Sequence, residues 1–137
     1  MRLIIWFSRV SLFVVYFWFG ILKIVGNSPA EPLVHQLFNI TLVRLIDFPV
    51  FLLWFGIFEC LIALMWLVPK FTYIAHNTTI FHVILTIVPI FALTNVTWTG
   101  LFSPTIFGQY IMKNLLLLSC VMFVTHIYKL DSNSHRK

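Results

Sequence analysis

Val50-Phe51-Leu52-Leu53-Trp54-Phe55-Gly56-Ile57-Phe58-Glu59-Cys60-Leu61-Ile62-Ala63-Leu64-Met65-Trp66-Leu67-Val68 runs unbroken between Pro49 and Pro69, with one charged residue, Glu59, near its middle. At about 1.5 Å per residue, a helix of this length matches the roughly 30 Å hydrocarbon thickness of a bilayer. No period-two alternation persists along it, which argues against a strand. In lipid every peptide N–H and C=O must find its partner within the segment, so the run reads as a membrane-spanning helix.

Three further runs have the same character: residues 3–25, 73–93 and 110–128. The third begins with a polar entry, His76, Asn77, Thr78 and Thr79, and holds a late proline, Pro89, a candidate kink. The first run is too long for a signal peptide and is interrupted by Arg9, so it is expected to be a retained span. The expected fold is a single all-α domain over residues 1–137, an integral membrane four-helix bundle. The composition agrees. Of 137 residues, 61% are hydrophobic and 9% charged, against about 25% charged in soluble domains. A small soluble domain leaves too much surface in water to hide so much apolar area.

The formal net charge is +5, yet the Lys and Arg residues are scattered, so a nucleic-acid partner is not expected and membrane lipid is. Arg2, Lys70, Lys129, Arg136 and Lys137 fall at one side of the four spans. The positive-inside rule then puts both termini in the cytoplasm and residues 26–49 and 94–109 outside. The expected location is the inner (plasma) membrane. Ser28-Pro29-Ala30-Glu31 in the first outer loop has the form of a capping box, although Pro32 allows the helix to begin there instead. Leu33, Val34, Leu37, Phe38, Leu42, Leu45 and Ile46 follow at helical spacing, opposite His35, Gln36, Asn39 and Arg44. This predicts an amphipathic helix that either lies on the membrane surface or folds back over the bundle. The second outer loop is uncharged and aromatic, with Trp98, Phe102 and Phe107, and reads as an interfacial belt or a lid.

Charge at membrane depth costs about 2.5–3.5 kcal/mol per group at the span centre and calls for partners. Arg9, Tyr16 and Lys23 are spaced by two helical turns and line one stripe of the first span, beside Gly20. Gly56 lies at similar depth on the second span and would allow the two helices to approach closely. By rise per residue, Glu59 and His82 sit roughly 15 and 13 Å from the inner edge and Arg9 roughly 9 Å from it. A buried polar network of Arg9, Tyr16, Glu59, His82, Lys113 and Asn114 is therefore expected, with Glu59 paired to Arg9 or Lys113 and His82 nearby. Lys23, Glu31, Trp98 and Lys113 form a candidate ligand pocket at the outer side. No metal is expected, since no two histidines stand at i, i+4. Cys60 and Cys120 form no C-x-x-C and read as small buried apolar groups.

Arg9 followed by Gly20-Ile21-Leu22-Lys23, then Gly56-Ile57-Phe58-Glu59 with Ala63-Leu64, then Tyr110-Ile111-Met112-Lys113-Asn114-Leu115, resembles the ordered motifs of the DoxX-like membrane proteins, and Ser28-Pro29-Ala30-Glu31-Pro32-Leu33-Val34 resembles their small uncharacterised subset most. The resemblance covers nearly the whole chain and implies a four-helix membrane bundle. It also implies association with quinone-linked oxidation or with membrane redox and stress complexes. With no catalytic signature in the chain, the expectation is a non-catalytic subunit or a quinone- or lipid-binding module beside a membrane oxidoreductase partner. Two alternatives stay open: a scaffold for a membrane complex, and a proton- or solute-permeating protein using Glu59 and His82.

Overall fold

The computed structural model describes residues 2–42 and 45–134. Arg44, Arg136 and Lys137, counted above for orientation and loop pattern, lie outside the described residues. The chain folds as α1 (Arg2–Ile24), α2 (Glu31–Thr41), α3 (Phe48–Leu67), a 3-10 turn (Pro69–Phe71), α4 (Thr72–Ala92), a helical turn α5 (Thr94–Thr97), a two-stranded antiparallel ribbon of β1 (Trp98–Gly100) and β2 (Ser103–Pro104), and α6 (Ile106–Ser134). Four helices are long and apolar enough to cross a membrane: Leu3–Ile24, Phe48–Leu67, Pro69–Ala92 and Ile106–Ser132. The architecture is all-α, the build of a multi-pass membrane protein.

The four long helices form a ring in which α1 packs on α3, α3 on α4, α4 on α6 and α6 on α1, with the α1–α3 interface the most extensive. All four contribute to one core of Leu12, Tyr16, Ile62, Ala63, Trp66, Ala75, Val121 and Val124. Large apolar side chains such as Trp18, Trp54, Phe91 and Leu116 point outward, as a lipid-facing surface requires. α1 and α3 meet at two glycines. A Cβ on Gly20 would stand 2.8 Å from the Gly56 carbonyl oxygen, and one on Gly56 would stand 2.7 Å from that of Gly20. Bare backbone is what lets antiparallel helices approach this closely.

The end of the bundle away from the termini is capped. α2 folds back over it, seating Leu33 in a cluster with Leu93 and Ile111 and burying Phe38 against Phe48 and Phe51. The capping box does not form. α2 starts at Glu31 with Pro32 in its first turn, its N-cap is Ala30 with no side-chain bond, and the buried Ser28 hydroxyl makes no hydrogen bond. The Glu31 N–H that a Ser28 cap would take donates instead to the Ser28 backbone carbonyl (3.1 Å), so the hydroxyl has no donor there. The helix also ends at Thr41, so Leu45 and Ile46 are exposed beyond it instead of continuing its apolar face.

Residues 94–109 are more ordered than a simple loop. Thr105 donates its N–H to the Thr97 carbonyl (2.9 Å) and its hydroxyl to that of Val96 (2.7 Å), and its Oγ1 accepts from the Gly108 N–H (3.2 Å), capping α6. Leu101 and Phe102 form the ribbon's tip, 91% and 89% exposed, and Phe102 has a φ of 61°. Gly108 is where α6 passes α5, and a Cβ there would run into the Thr97 carbonyl. Gly108→Ala is therefore expected to lower stability by about 1–3 kcal/mol through overpacking. Gly100→Ala, with no neighbour within 4 Å of its added carbon, should leave the melting temperature in detergent nearly unchanged. Equal melting temperatures for the two variants would refute this account of the α5–α6 junction.

Candidate functional site

The two-turn spacing of Arg9, Tyr16 and Lys23 does place all three on the buried face of α1, at 2%, 3% and 6% exposure. Glu59 of α3 is 4% exposed and His82 of α4 is 7% exposed. Four of these five side chains join in one line across three helices. The Lys23 ammonium donates to Glu59 Oε2 at 2.7 Å. His82 Nε2 lies 2.9 Å from Glu59 Oε1, and His82 Nδ1 lies 3.3 Å from the Tyr16 hydroxyl. The carboxylate thus engages both its oxygens, and the imidazole both its nitrogens.

Glu59 pairs with neither Arg9 nor Lys113. The reason lies in side-chain direction. Side chains in a helix lean toward its N-terminus. On antiparallel helices the Lys23 and Glu59 side chains therefore lean toward each other. That closes an axial offset of about 9 Å, the rise from Gly20 to Lys23 plus that from Gly56 to Glu59. Arg9 leans in the same direction as Lys23, but from two turns beyond Tyr16 this carries its guanidinium away from Glu59. Its guanidinium donates to the Trp66 carbonyl (3.1 Å) and to Thr72 Oγ1 (2.6 Å), and it stands 5.8 Å from the Tyr128 ring centroid. It ties α1 to the C-terminus of α3, where a cation complements the helix dipole. Trp66 also donates its indole N–H to the Thr79 hydroxyl (3.0 Å).

The remaining expected members sit elsewhere. Asn114 donates to Thr86 Oγ1 (3.0 Å), joining α6 to α4 apart from the Glu59 line. Lys113 is exposed, its ammonium 5.3 Å from the Tyr110 ring centroid; near a helix end its long stem lets the charge reach the interface. The expected outer pocket is not assembled. Lys23 is held by Glu59, Glu31 lies in the first turn of α2, Trp98 donates its indole N–H to the Ile90 carbonyl, and no hydrogen bond, ion pair or ring contact joins any two of the four. Cys60 and Cys120 are free thiols, partly rather than fully buried.

Two features went unread in the sequence. One is a ring stack. Phe55 lies nearly parallel to His82 (19°, centroids 5.3 Å apart) and to Phe51 (11°, 5.7 Å), and the Lys23 ammonium stands 5.3 Å from its centroid. Phe51 in turn contacts Phe38 of α2 at 5.3 Å. Phe51 and Phe55 at i, i+4 share a helix face, which was the available signal. The other is an apolar groove of about 240 Å³ between α3 and α4, lined chiefly by Phe51, Trp54, Phe55, Phe58, Phe81 and Leu85. Phe55 and Phe58 stand between this groove and the His82 imidazole.

Toward the termini the polar line stops. Tyr16 belongs to the apolar core with Leu12, Ile62, Ala63 and Trp66, of which the last four are fully buried. Chemically, the site offers a neutralised carboxylate, a hydrogen-bonded imidazole and a phenol at membrane depth, behind a wall of rings. Among the described residues no group of three or more His, Cys, Asp or Glu side chains could hold a metal ion. No family model, no curated protein and no solved structure matches the chain.

Proposed function

We propose that the protein is a DoxX-like inner-membrane subunit, itself non-catalytic. In this reading it holds a quinone or lipid headgroup for a membrane redox or stress-response complex, with both termini in the cytoplasm. The observation that carries the reading is the buried Lys23–Glu59–His82–Tyr16 line set directly behind a ring-lined groove between α3 and α4. Such a pairing of apolar walls with a few polar groups is the usual make-up of a small-molecule site. It moves the pocket from the outer loops to the α3–α4 seam. The ordered motifs around Lys23, Glu59 and Lys113-Asn114 support the family assignment. Lys70 in the α3–α4 turn and Lys129 near the end of α6 support the orientation.

A proton-permeating protein is the poorer reading. A relay needs a continuous chain of exchangeable groups, and among the described residues no hydrogen bond joins Tyr16 to the Arg9–Thr72 and Trp66–Thr79 bonds that lie toward the termini. The test is to purify the protein in mild detergent, extract bound quinones and phospholipids, and titrate added quinone. One ligand should co-purify near stoichiometry, and Glu59→Gln should weaken quinone binding about tenfold, the equivalent of about 1.4 kcal/mol. Lys113→Ala, outside the polar line, should bind as the parent does. No retained ligand, together with equal quinone affinity of the parent and Glu59→Gln, would sink the proposal.

A further inference from the structure

The Phe55 ring occupies a slot shaped by its neighbours: it lies nearly parallel to the His82 imidazole and to the Phe51 ring, with the Lys23 ammonium 5.3 Å from its centroid. Parallel offset rings and a cation within about 6 Å of a ring centroid are favourable arrangements for a flat π-system. The same ring lines the lipid-side groove and is only half-buried, whereas His82 and Glu59 behind it are nearly inaccessible. Phe55 is thus both the wall between the membrane and the polar line and the filling of a flat-ring slot.

We propose that Phe55 is the gate of a lateral entrance from the bilayer. When it swings out, a membrane-dissolved amphiphile with a planar ring headgroup enters through the α3–α4 groove and takes the ring's place beside His82 and Phe51. The proposal deepens the functional reading above by giving the ligand's shape and its route, and it rests on that reading for the ligand's existence. The chemistry of the slot sets the selectivity. A flat ring stacks on both neighbours, and a polar substituent on it meets the Lys23 ammonium, which a puckered ring of equal size does not do as well. Groove residues that do not stack on His82, such as Leu85 one turn further along α4, shape the approach without closing it.

The experiment uses the full chain in lipid nanodiscs and needs no natural ligand. Diethyl pyrocarbonate, a small apolar reagent that acylates imidazole nitrogen, is added, and modification at each histidine is followed by mass spectrometry. His35 and His126, both exposed, serve as internal standards. His82 should react slowly in the parent and about tenfold faster in Phe55→Ala, as expected when a local barrier to opening is removed. Leu85→Ala should leave it slow. Phenol should protect His82 again in Phe55→Ala, and cyclohexanol should not. If Phe55→Ala fails to fold, Phe55→Leu, which keeps volume and loses the flat face, takes its place with the same expectation.

The gate is refuted if removing the ring leaves His82 as slow as before, or if Leu85→Ala speeds it equally. The flat-ring slot is refuted if cyclohexanol protects as well as phenol. Each result is independent of whether quinone or lipid co-purifies, so a failure here and a failure of the functional reading are told apart.

Discussion

Glu59→Leu is expected to cost about 3–5 kcal/mol of stability, because it leaves the Lys23 ammonium and the His82 imidazole buried without their carboxylate. The informative variant is the double one. Replacing a buried ion pair by apolar groups of similar volume is often neutral or stabilising, and polar contacts between membrane helices average only about 0.6 kcal/mol. Adding Lys23→Met to Glu59→Leu should therefore recover most of the loss, although His82 still lacks its partner. Unfolding by graded denaturant in micelles measures both. A double variant no more stable than the single would mean that the pair itself contributes several kcal/mol, against the argument made from desolvation.

The second large effect is at the glycine contact. Alanine in a helix interior ordinarily gains about 1 kcal/mol over glycine. At Gly56 the added carbon would sit 2.7 Å from the Gly20 carbonyl oxygen and 3.0 Å from Lys23 Cβ, so backbone must retreat. At Gly20 it would sit 2.7 Å from Cys60 Sγ as well as close to the Gly56 carbonyl. Each substitution should lower stability by about 1–3 kcal/mol, the overpacking term exceeding the propensity gain. The two should not add. Once α1 has moved off α3 for one methyl group, the other fits, so the double variant should fall short of the sum. Additive losses in the same unfolding assay would mean that the glycines act separately. A gain in stability from either would mean that the helices are not in backbone contact.

Much of this fold is legible in the chain because lipid simplifies the problem. Helix is the one local answer for an isolated apolar run, and the four spans end within a few residues of the expected places, α6 alone extending well past both of its expected ends. The inward face of α1 was readable for the same reason, since Arg9, Tyr16 and Lys23 repeat at two turns. Partner choice was not readable from depth alone. Depth along the bilayer treats a side chain as a point at its Cα, whereas Lys23 and Arg9 each displace their charge toward the α1 N-terminus, one onto Glu59 and the other away from it. The loop pocket failed for a related reason. Lys23, Glu31, Trp98 and Lys113 share a level but not a direction, and direction depends on helix rotation in the assembled ring. The Phe55 slot required three helices to be in place before its neighbours could be named.

Leu101 and Phe102 stand at the far end of the ribbon with almost no protein around them, on a segment, residues 94–109, that carries no charge. Sinking two such side chains below the headgroups releases about 3–6 kcal/mol at 1.5–3 kcal/mol each. That exceeds thermal energy severalfold. In a bilayer the ribbon would then work as a keel, setting how deep this face rides in the leaflet and which way the bundle lists.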